Sequence, residues 1–236
     1  MTEKDGRAPG LARLAGLLAD GTRAACLLAL LDGRAWTAGE LARHAGVAAS
    51  TLSEHLDRLV AGGLLIQERQ GRHRYVRLAD PRVAQLVEDL AAQVVPDRVA
   101  RPRTLRAAGA GAATARGRTC YDHLAGRLGI ALTDALTGRG LLRQDTGFAL
   151  TDAGLGWFGT AGIPLERTGR RPLARACLDW TERRPHLAGV AGAALCRHAL
   201  KAGWCVRIGS GRAVRVTPSG EAALSELLGI TPDRLR

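Results

Sequence analysis

Lysine is almost missing from this chain. Of its 34 basic residues, only Lys4 and Lys201 are lysine and the rest are arginine, beside abundant alanine and glycine. That skew has the pattern of a GC-rich coding bias, so the net charge of +12 has to be discounted before it is read as a sign of a polyanionic partner. No apolar run approaches the roughly 18 residues of a membrane span, and the N-terminus, MTEKDGRAPG, lacks a signal-peptide core. These absences predict a cytoplasmic chain with no membrane partner. The five cysteines are an odd number without framework spacing, which predicts reduced thiols rather than disulfides. Disorder is excluded by a 46% hydrophobic content arranged with clear periodicity, and 236 residues suffice for a sizeable core.

The most informative stretch is Thr37 to Leu78. Thr37 followed by Glu40 is a capping box, opening a short helix with Leu41 and Ala45 on its apolar side. Gly46 is suited to end that helix at positive φ. After Val47-Ala48-Ala49, Leu52, Leu56, Leu59 and Val60 fall on one face of a second helix. Its other surface carries Ser50, Thr51, Ser53, Glu54, His55 and Arg58, short hydrogen-bonding groups concentrated near the N-terminal end. Gly62-Gly63 stops the helix. Leu64 to Glu68 and His73 to Leu78 then read as a hairpin, with Arg69, Arg72, Arg74 and Arg77 at or near its tip.

The run STLSEHLDRLVAGGLLIQERQGRHRYVRLAD resembles the ArsR/SmtB winged-helix repressors, in which a Ser-x-x-Ser-x-His-Leu recognition helix precedes a Gly-Leu step and a wing. The resemblance covers about residues 10 to 95. It implies sequence-specific binding of double-stranded DNA at a near-palindromic operator by a homodimer, with Ser50, Thr51, Ser53, His55, Arg58, Arg72 and Arg74 as contacts. A winged helix used only for protein contact is the alternative. Two family metal sites have no counterpart here. The helix ELARHAGV contains no cysteine, and DPRVAQLVEDLAAQV contains no histidine. His44 reads as a surface residue.

Upstream, Leu11 to Ala19 and Thr22 to Leu31 read as helices broken at Asp20-Gly21, with Cys26 as a small core residue. Downstream, Asp80-Pro81 is an N-cap followed by proline at the first helical position, opening a helix that runs to about Val95. The resemblance implies that the first and last of these helices build the dimer.

Residues 1–95 are thus expected to form the DNA-binding and dimerisation domain. Residues 96–118, rich in Arg, Ala and Gly, read as a linker that is solvated or grazes flanking phosphates, with helix from about Thr104. Residues 119–236 read as a regulatory domain that repeats itself, over about 119–160 and 175–230. His123-Leu-Ala-Gly126 recurs as His186-Leu-Ala-Gly189, each with a cysteine before it (Cys120, Cys177). Gly140 and Gly203 then end a helix, Thr151 and Thr217 end a hairpin, and Gly154 and Gly220 begin a further helical segment. The spacing predicts helix, helix, hairpin: two degenerate winged-helix-like repeats. The expected class is therefore mainly α with short β-hairpins (α+β). The CYDHLAG and CLDWTERRPHLAG segments also resemble the C-terminal half of a long, actinobacterial-type subgroup of ArsR-like regulators.

On a helix, Cys120 and His123 would share a face and could chelate a soft metal or pair as an activated thiol. Cys177, Asp179 and His186 occupy the matching place, so Cys120, Asp122, His123, Cys177, Asp179 and His186 form one candidate site. Cys196 and His198 would point apart, and Cys205 reads as core. Three readings stay open for this half: a soft metal or metalloid, or thiol chemistry; an organic effector held by Trp157, Trp180, Trp204 and Arg183 or Arg184; or a scaffold or dimer surface. No motif demands a cofactor. A Cys–His–Asp set without an oxyanion motif or substrate signature predicts no enzyme.

Overall fold

The computed structural model describes residues 6–71, 73–94, 105–145, 147–167, 169–209 and 211–235. The chain separates into two compact units, 1–87 and 88–236.

In the first unit, α1 (Ala8–Leu18) and α2 (Gly21–Leu30) are followed by β1 (Trp36–Thr37), α3 (Ala38–Ala45), α4 (Ala49–Ala61), β2 (Leu65–Gln70) and β3 (His73–Leu78). Asp20 caps α2 by accepting from the Arg23 amide at 2.9 Å. Thr37 and Glu40 form the expected capping box, and Gly46 ends α3 at φ +68. One antiparallel sheet has the order β1-β3-β2. Its register pairs Leu65 with Leu78 and Gln70 with His73 around a two-residue tip. Leu27, Leu30, Leu41, Leu52, Leu56, Leu59 and Val76 are fully buried and make the core. Helix α1 has no buried residue, and Leu11 is 68% exposed.

Helix α5 (Pro81–Gln93) starts as expected, Asp80 accepting from the amides of Arg82 and Val83 at 2.7 and 3.0 Å. Within the expected linker, the sequence predicts helix from about Thr104 but not a buried strand. Leu105–Arg116 is helix α6, and Arg118 opens a buried strand with none of its side chain exposed. The remainder of the expected linker, as far as Thr104, lies outside the described residues.

The second unit is built twice on one plan. The first copy runs β4 (Arg118–Cys120), β5 (His123–Ala125), α7 (Gly126–Gly138), β6 (Leu142–Arg143), β7 (Ala149–Leu150) and α8 (Asp152–Thr160). The second runs β8 (Arg175–Leu178), β9 (Pro185–Ala188), α9 (Gly189–Lys201), β10 (Cys205–Arg207), β11 (Val214–Val216) and α10 (Pro218–Leu228), before a short 3₁₀ turn at Pro232–Leu235. Each repeat is therefore hairpin, helix, hairpin, helix, where the spacing predicted helix, helix, hairpin. The later landmarks do coincide. Thr151 accepts from the Gly154 amide and donates to the Gly140 carbonyl at 2.7 Å. Thr217 does the same with Gly220 and Gly203, again at 2.7 Å. Both threonines thereby tie a helix start to the preceding turn. The core of this unit gathers Leu128, Leu132, Leu136, Phe158, Leu187, Ala191, Leu195, Leu224 and Leu228 from both copies.

Candidate functional sites: a recognition helix and a buried Cys–His cluster

The first candidate lies on α4. With Leu52, Leu56 and Leu59 turned into the core, Ser50, Thr51, Glu54 and Arg58 are exposed and Ser53 is half-buried. No side chain caps the N-terminal end of this helix, leaving its first amides facing outward beside those short hydroxyls. His55 behaves differently from its expected neighbours. Its Nδ1 lies 3.4 Å from an Arg23 guanidinium nitrogen and 3.5 Å from Asp20 Oδ1. The same Arg23 donates to the carbonyls of Leu17 and Gly16 at 2.6 and 2.9 Å. His55 is thus part of the polar node that joins α4 to α2 and the end of α1. On the wing, Arg69 and Arg77 are exposed, while Arg74 is held by Asp57 of α4 at 2.8 Å. Arg72 lies outside the described residues.

The second candidate lies in the repeated unit. Cys120 and His123 do not share a helix face. They are directly opposed partners across the β4–β5 hairpin, whose turn is Tyr121-Asp122 with Tyr121 at φ +52. Cys177 and His186 are likewise partners across β8–β9, with a longer loop between them. Strands β5 and β9 lie against each other, so the two Cys–His pairs meet. All four residues are buried, and their ligand atoms lie within 4.8 Å of one another. His123 Nε2 and His186 Nε2 face each other at 3.1 Å.

The helices must come close for this to happen. A Cβ on Gly129 of α7 would sit 2.5 Å from the Leu124 carbonyl oxygen and 3.6 Å from His186 Cβ. One on Gly192 of α9 would sit 2.4 Å from the Leu187 carbonyl oxygen and 3.2 Å from His123 Cβ. Each glycine thus lets its own hairpin approach the helix, and Gly192 also lets in His123 of the other copy. The repeated motif is longer than His-Leu-Ala-Gly: it is His-Leu-Ala-Gly-x-x-Gly, over 123–129 and 186–192.

The two aspartates of the expected site stand behind the cluster rather than in it. Asp122 is clamped by Arg171 at 2.6 and 2.9 Å and reaches His123 Nδ1 at 3.4 Å. Asp179, fully buried, accepts from the Gly126 amide at the start of α7 at 2.7 Å and from the amides of Thr181 and Glu182. It also forms an ion pair with the equally buried Arg118 at 2.9 Å, over which Trp180 stacks at 4.7 Å. That Arg118 contact is electrostatic and lacks aligned hydrogen-bond geometry. Asp179 lies 3.7 Å from His186 Nδ1 without a hydrogen bond between them.

Glu88 of α5, which sequence reasoning did not single out, completes the cluster. It accepts from Cys120 Sγ at 2.8 Å and lies 3.5 Å from Cys177 Sγ. Burial pushes its carboxyl up to about 7, against the pull of His123 and Arg175. The two sulfurs diverge. The nearby Cys177, with burial and Glu88, raises Cys120 well above an ordinary thiol. Cys120 in turn, aided by both histidines against the effect of burial, lowers Cys177. Burial opposes charge on His123, yet Asp122, Cys177 and Glu88 raise it to about 10, while burial lowers His186. The other cysteines have no such company: burial raises Cys26 to about 11, and Cys196 and Cys205 to about 12.

The tryptophans expected to hold an organic effector do not converge. Trp180 stacks on Arg118, Trp157 packs on Phe158, and Trp204 packs on His198. Arg183 donates to the Ala92 carbonyl and Arg184 pairs with Asp134.

Residues 18–68 match a family model described as a helix-turn-helix domain. An uncharacterized HTH-type transcriptional regulator of Bacillus subtilis, YdfF, is 40% identical over 225 residues, 94% of this chain and 98% of that protein. The HTH-type transcriptional regulator CmtR of Mycobacterium tuberculosis is 42% identical over 84 residues, 36% of this chain and 70% of that protein. Among solved structures, a homodimeric winged helix-turn-helix DNA-binding domain from Mycobacterium bovis aligns at 31% identity. It covers 39% of this chain and 86% of that one, with a TM-score of 0.34. The Bacillus relative matches through the repeated unit as well as the winged one, and on that relationship the chain belongs to the HTH-type transcriptional regulators.

Proposed function

We propose that the chain is a homodimeric, sequence-specific repressor whose occupancy of its operator is modulated through the C-terminal unit. The observation that carries this reading is α4. Leu52, Leu56 and Leu59 of its apolar face are buried, while Ser50, Thr51 and Arg58 stay exposed, the two hydroxyls at its uncapped N-terminal end. In a winged helix, that end of the second helix enters the major groove, where short hydroxyls meet base edges and phosphates. Ser53 adjoins this surface. Contact with the flanking backbone is assigned to Arg72 and Arg74 of the wing from their place in the sequence. His55 acts by fixing α4 on α2 through Arg23 and Asp20. The exposed Leu11 of α1 supports pairing of two copies, and a two-fold dimer requires a near-palindromic operator. No catalytic role is assigned to the buried cysteines.

The test is an electrophoretic shift on the chain's own upstream DNA, with light scattering for the oligomer. A retarded, competitor-resistant complex of a dimer supports the reading. A protein that binds all DNA alike, or none, overturns it.

A further inference from the structure

From the cross-strand pairs of the two repeats, we propose that Cys120, His123, Cys177 and His186 form a closed tetrahedral site for a d¹⁰ divalent cation, Zn²⁺ or Cd²⁺. Two thiolates and two imidazoles are a donor set that such borderline-to-soft cations take in four-coordinate structural sites. Tetrahedral coordination at about 2.0–2.1 Å from nitrogen and about 2.3 Å from sulfur places the donor atoms roughly 3.3–3.8 Å apart. The two Nε2 atoms already stand 3.1 Å apart, and the whole set lies within 4.8 Å.

Three further observations separate this cluster from ordinary core packing. Both histidines turn Nε2 inward and keep Nδ1 beside a carboxylate, Asp122 at 3.4 Å and Asp179 at 3.7 Å. For His123, whose Nδ1 is within hydrogen-bond distance of Asp122, that is the arrangement which orients an imidazole ligand toward a metal; Asp179 stands beside His186 only as a charge. Each carboxylate is in turn held by an arginine, Arg171 or Arg118. The glycine at 192 makes room for His123 of the opposite copy, which a Cβ there would meet at 3.2 Å. Packing alone would be satisfied by apolar residues here, since a buried polar group has to be repaid by a partner. Two bound thiolates also balance a 2+ charge, so the loaded site is neutral before its surroundings are counted.

This site does not depend on the DNA-binding reading. A chain that bound the cation and ignored operator DNA would keep this inference and lose the other.

The test uses the full-length, metal-free chain titrated with Co²⁺, Zn²⁺ and Cd²⁺. One Co²⁺ per chain, with tetrahedral ligand-field bands and sulfur-to-metal charge-transfer absorption, is the expected result. Cys120→Ser and Cys177→Ser should each lose about half of the charge-transfer intensity, whereas Cys196→Ser and Cys205→Ser should bind as wild type. Asp122→Asn, one shell out, should weaken binding about 10–100-fold. Should a ligand variant fail to fold, wild-type protein alone decides: Zn²⁺ must protect Cys120 and Cys177 from alkylation, read by mass spectrometry, and leave Cys196 and Cys205 unaffected. The proposal is overturned by a Co²⁺ spectrum without sulfur charge transfer, by equal loss in the Cys196 and Cys205 variants, or by a wild-type chain that closes a Cys120–Cys177 disulfide and takes up no metal.

Discussion

Arg118 and Asp179 lie in different copies of the repeat, carry opposite charges 2.9 Å apart, and are both completely buried. Asp179 uses its remaining acceptor capacity on the first amide of α7 and on the loop between β8 and β9. One carboxylate therefore ties the second hairpin to the first copy's helix, directly behind His186.

The first prediction follows from that pairing. Removing one partner of a buried ion pair strands the other charge in a site closed to water, at a cost of about 3–5 kcal/mol. Asp179→Ala should lower unfolding stability by that order in urea denaturation. A change below about 1 kcal/mol would mean the pair is not held as described.

A second prediction concerns the approach of the helices. Gly192→Ala places a methyl 2.4 Å from the Leu187 carbonyl oxygen, and Gly129→Ala places one 2.5 Å from that of Leu124. Neither neighbour is a flexible side-chain end, so the hairpin has to shift. Each variant should lose about 1–3 kcal/mol, as overpacked cores do. Gly138→Ala, in open space at the end of α7, is the control that should be tolerated. Thermal melts of the three proteins check the ordering.

Readout by α4 is tested by Ser50→Ala with Thr51→Ala. Both side chains are exposed, so the fold should be unaffected, while specific affinity should fall by about 1–3 kcal/mol for each well-formed hydrogen bond to a base that the substitution removes. His55→Ala should instead reduce stability, because its ring sits on Arg23 and Asp20. Fluorescence anisotropy on operator and scrambled DNA, with a melt of each protein, distinguishes the two effects. Equal affinity of the double variant and wild type would remove α4 from the interface.

Salt dependence reports the wing. Replacing Arg72 and Arg74 by alanine should lower the slope of log affinity against log salt by roughly 0.9 for each phosphate no longer neutralised. Asp57→Ala releases Arg74 from its 2.8 Å partner and should steepen the slope instead. Slopes that do not move in either protein would show that the wing stands clear of DNA.

The last prediction joins the cation site to regulation. Glu88, against both sulfurs, is carried by α5, the helix that begins at Pro81 straight after the wing. Loading the cluster with Zn²⁺ or Cd²⁺ should weaken operator binding, with an ordinary coupling of about 1–3 kcal/mol, or 5–150-fold. By linkage, operator DNA should weaken cation binding by the same factor. Titrating the DNA-bound protein with metal, in wild type and in Cys120→Ser, measures it. Equal release from both proteins would place the effect elsewhere.

What the sequence determined by itself was local. The capping box at Thr37 and Glu40, the left-handed Gly46, the buried face of Leu52, Leu56 and Leu59 and the Asp80-Pro81 start are each written within one or two turns of chain. Short-range hydrogen bonds and helical periodicity suffice to set them. They did not reveal β1, whose Trp36 pairs with Val76 of β3, or the contact of His55 with Arg23, 32 residues away, because both are non-local. The repeat was legible too, as matched His-Leu-Ala-Gly segments and the Gly and Thr landmarks after them. Its conformation was not. A Cys-x-x-His spacing suits one face of a helix and equally a pair of strand residues flanking a two-residue turn, and the ladder that selects the second is a non-local choice. Tertiary structure alone brought Cys120–His123 against Cys177–His186, moved Asp122 and Asp179 behind the histidines, buried Arg118 out of its expected linker, and set Glu88 on sulfurs 32 and 89 residues away. Such juxtapositions depend on how two hairpins and two helices close on one another, with glycine at 129 and 192 deciding how near they come, and no periodicity along the chain encodes that distance.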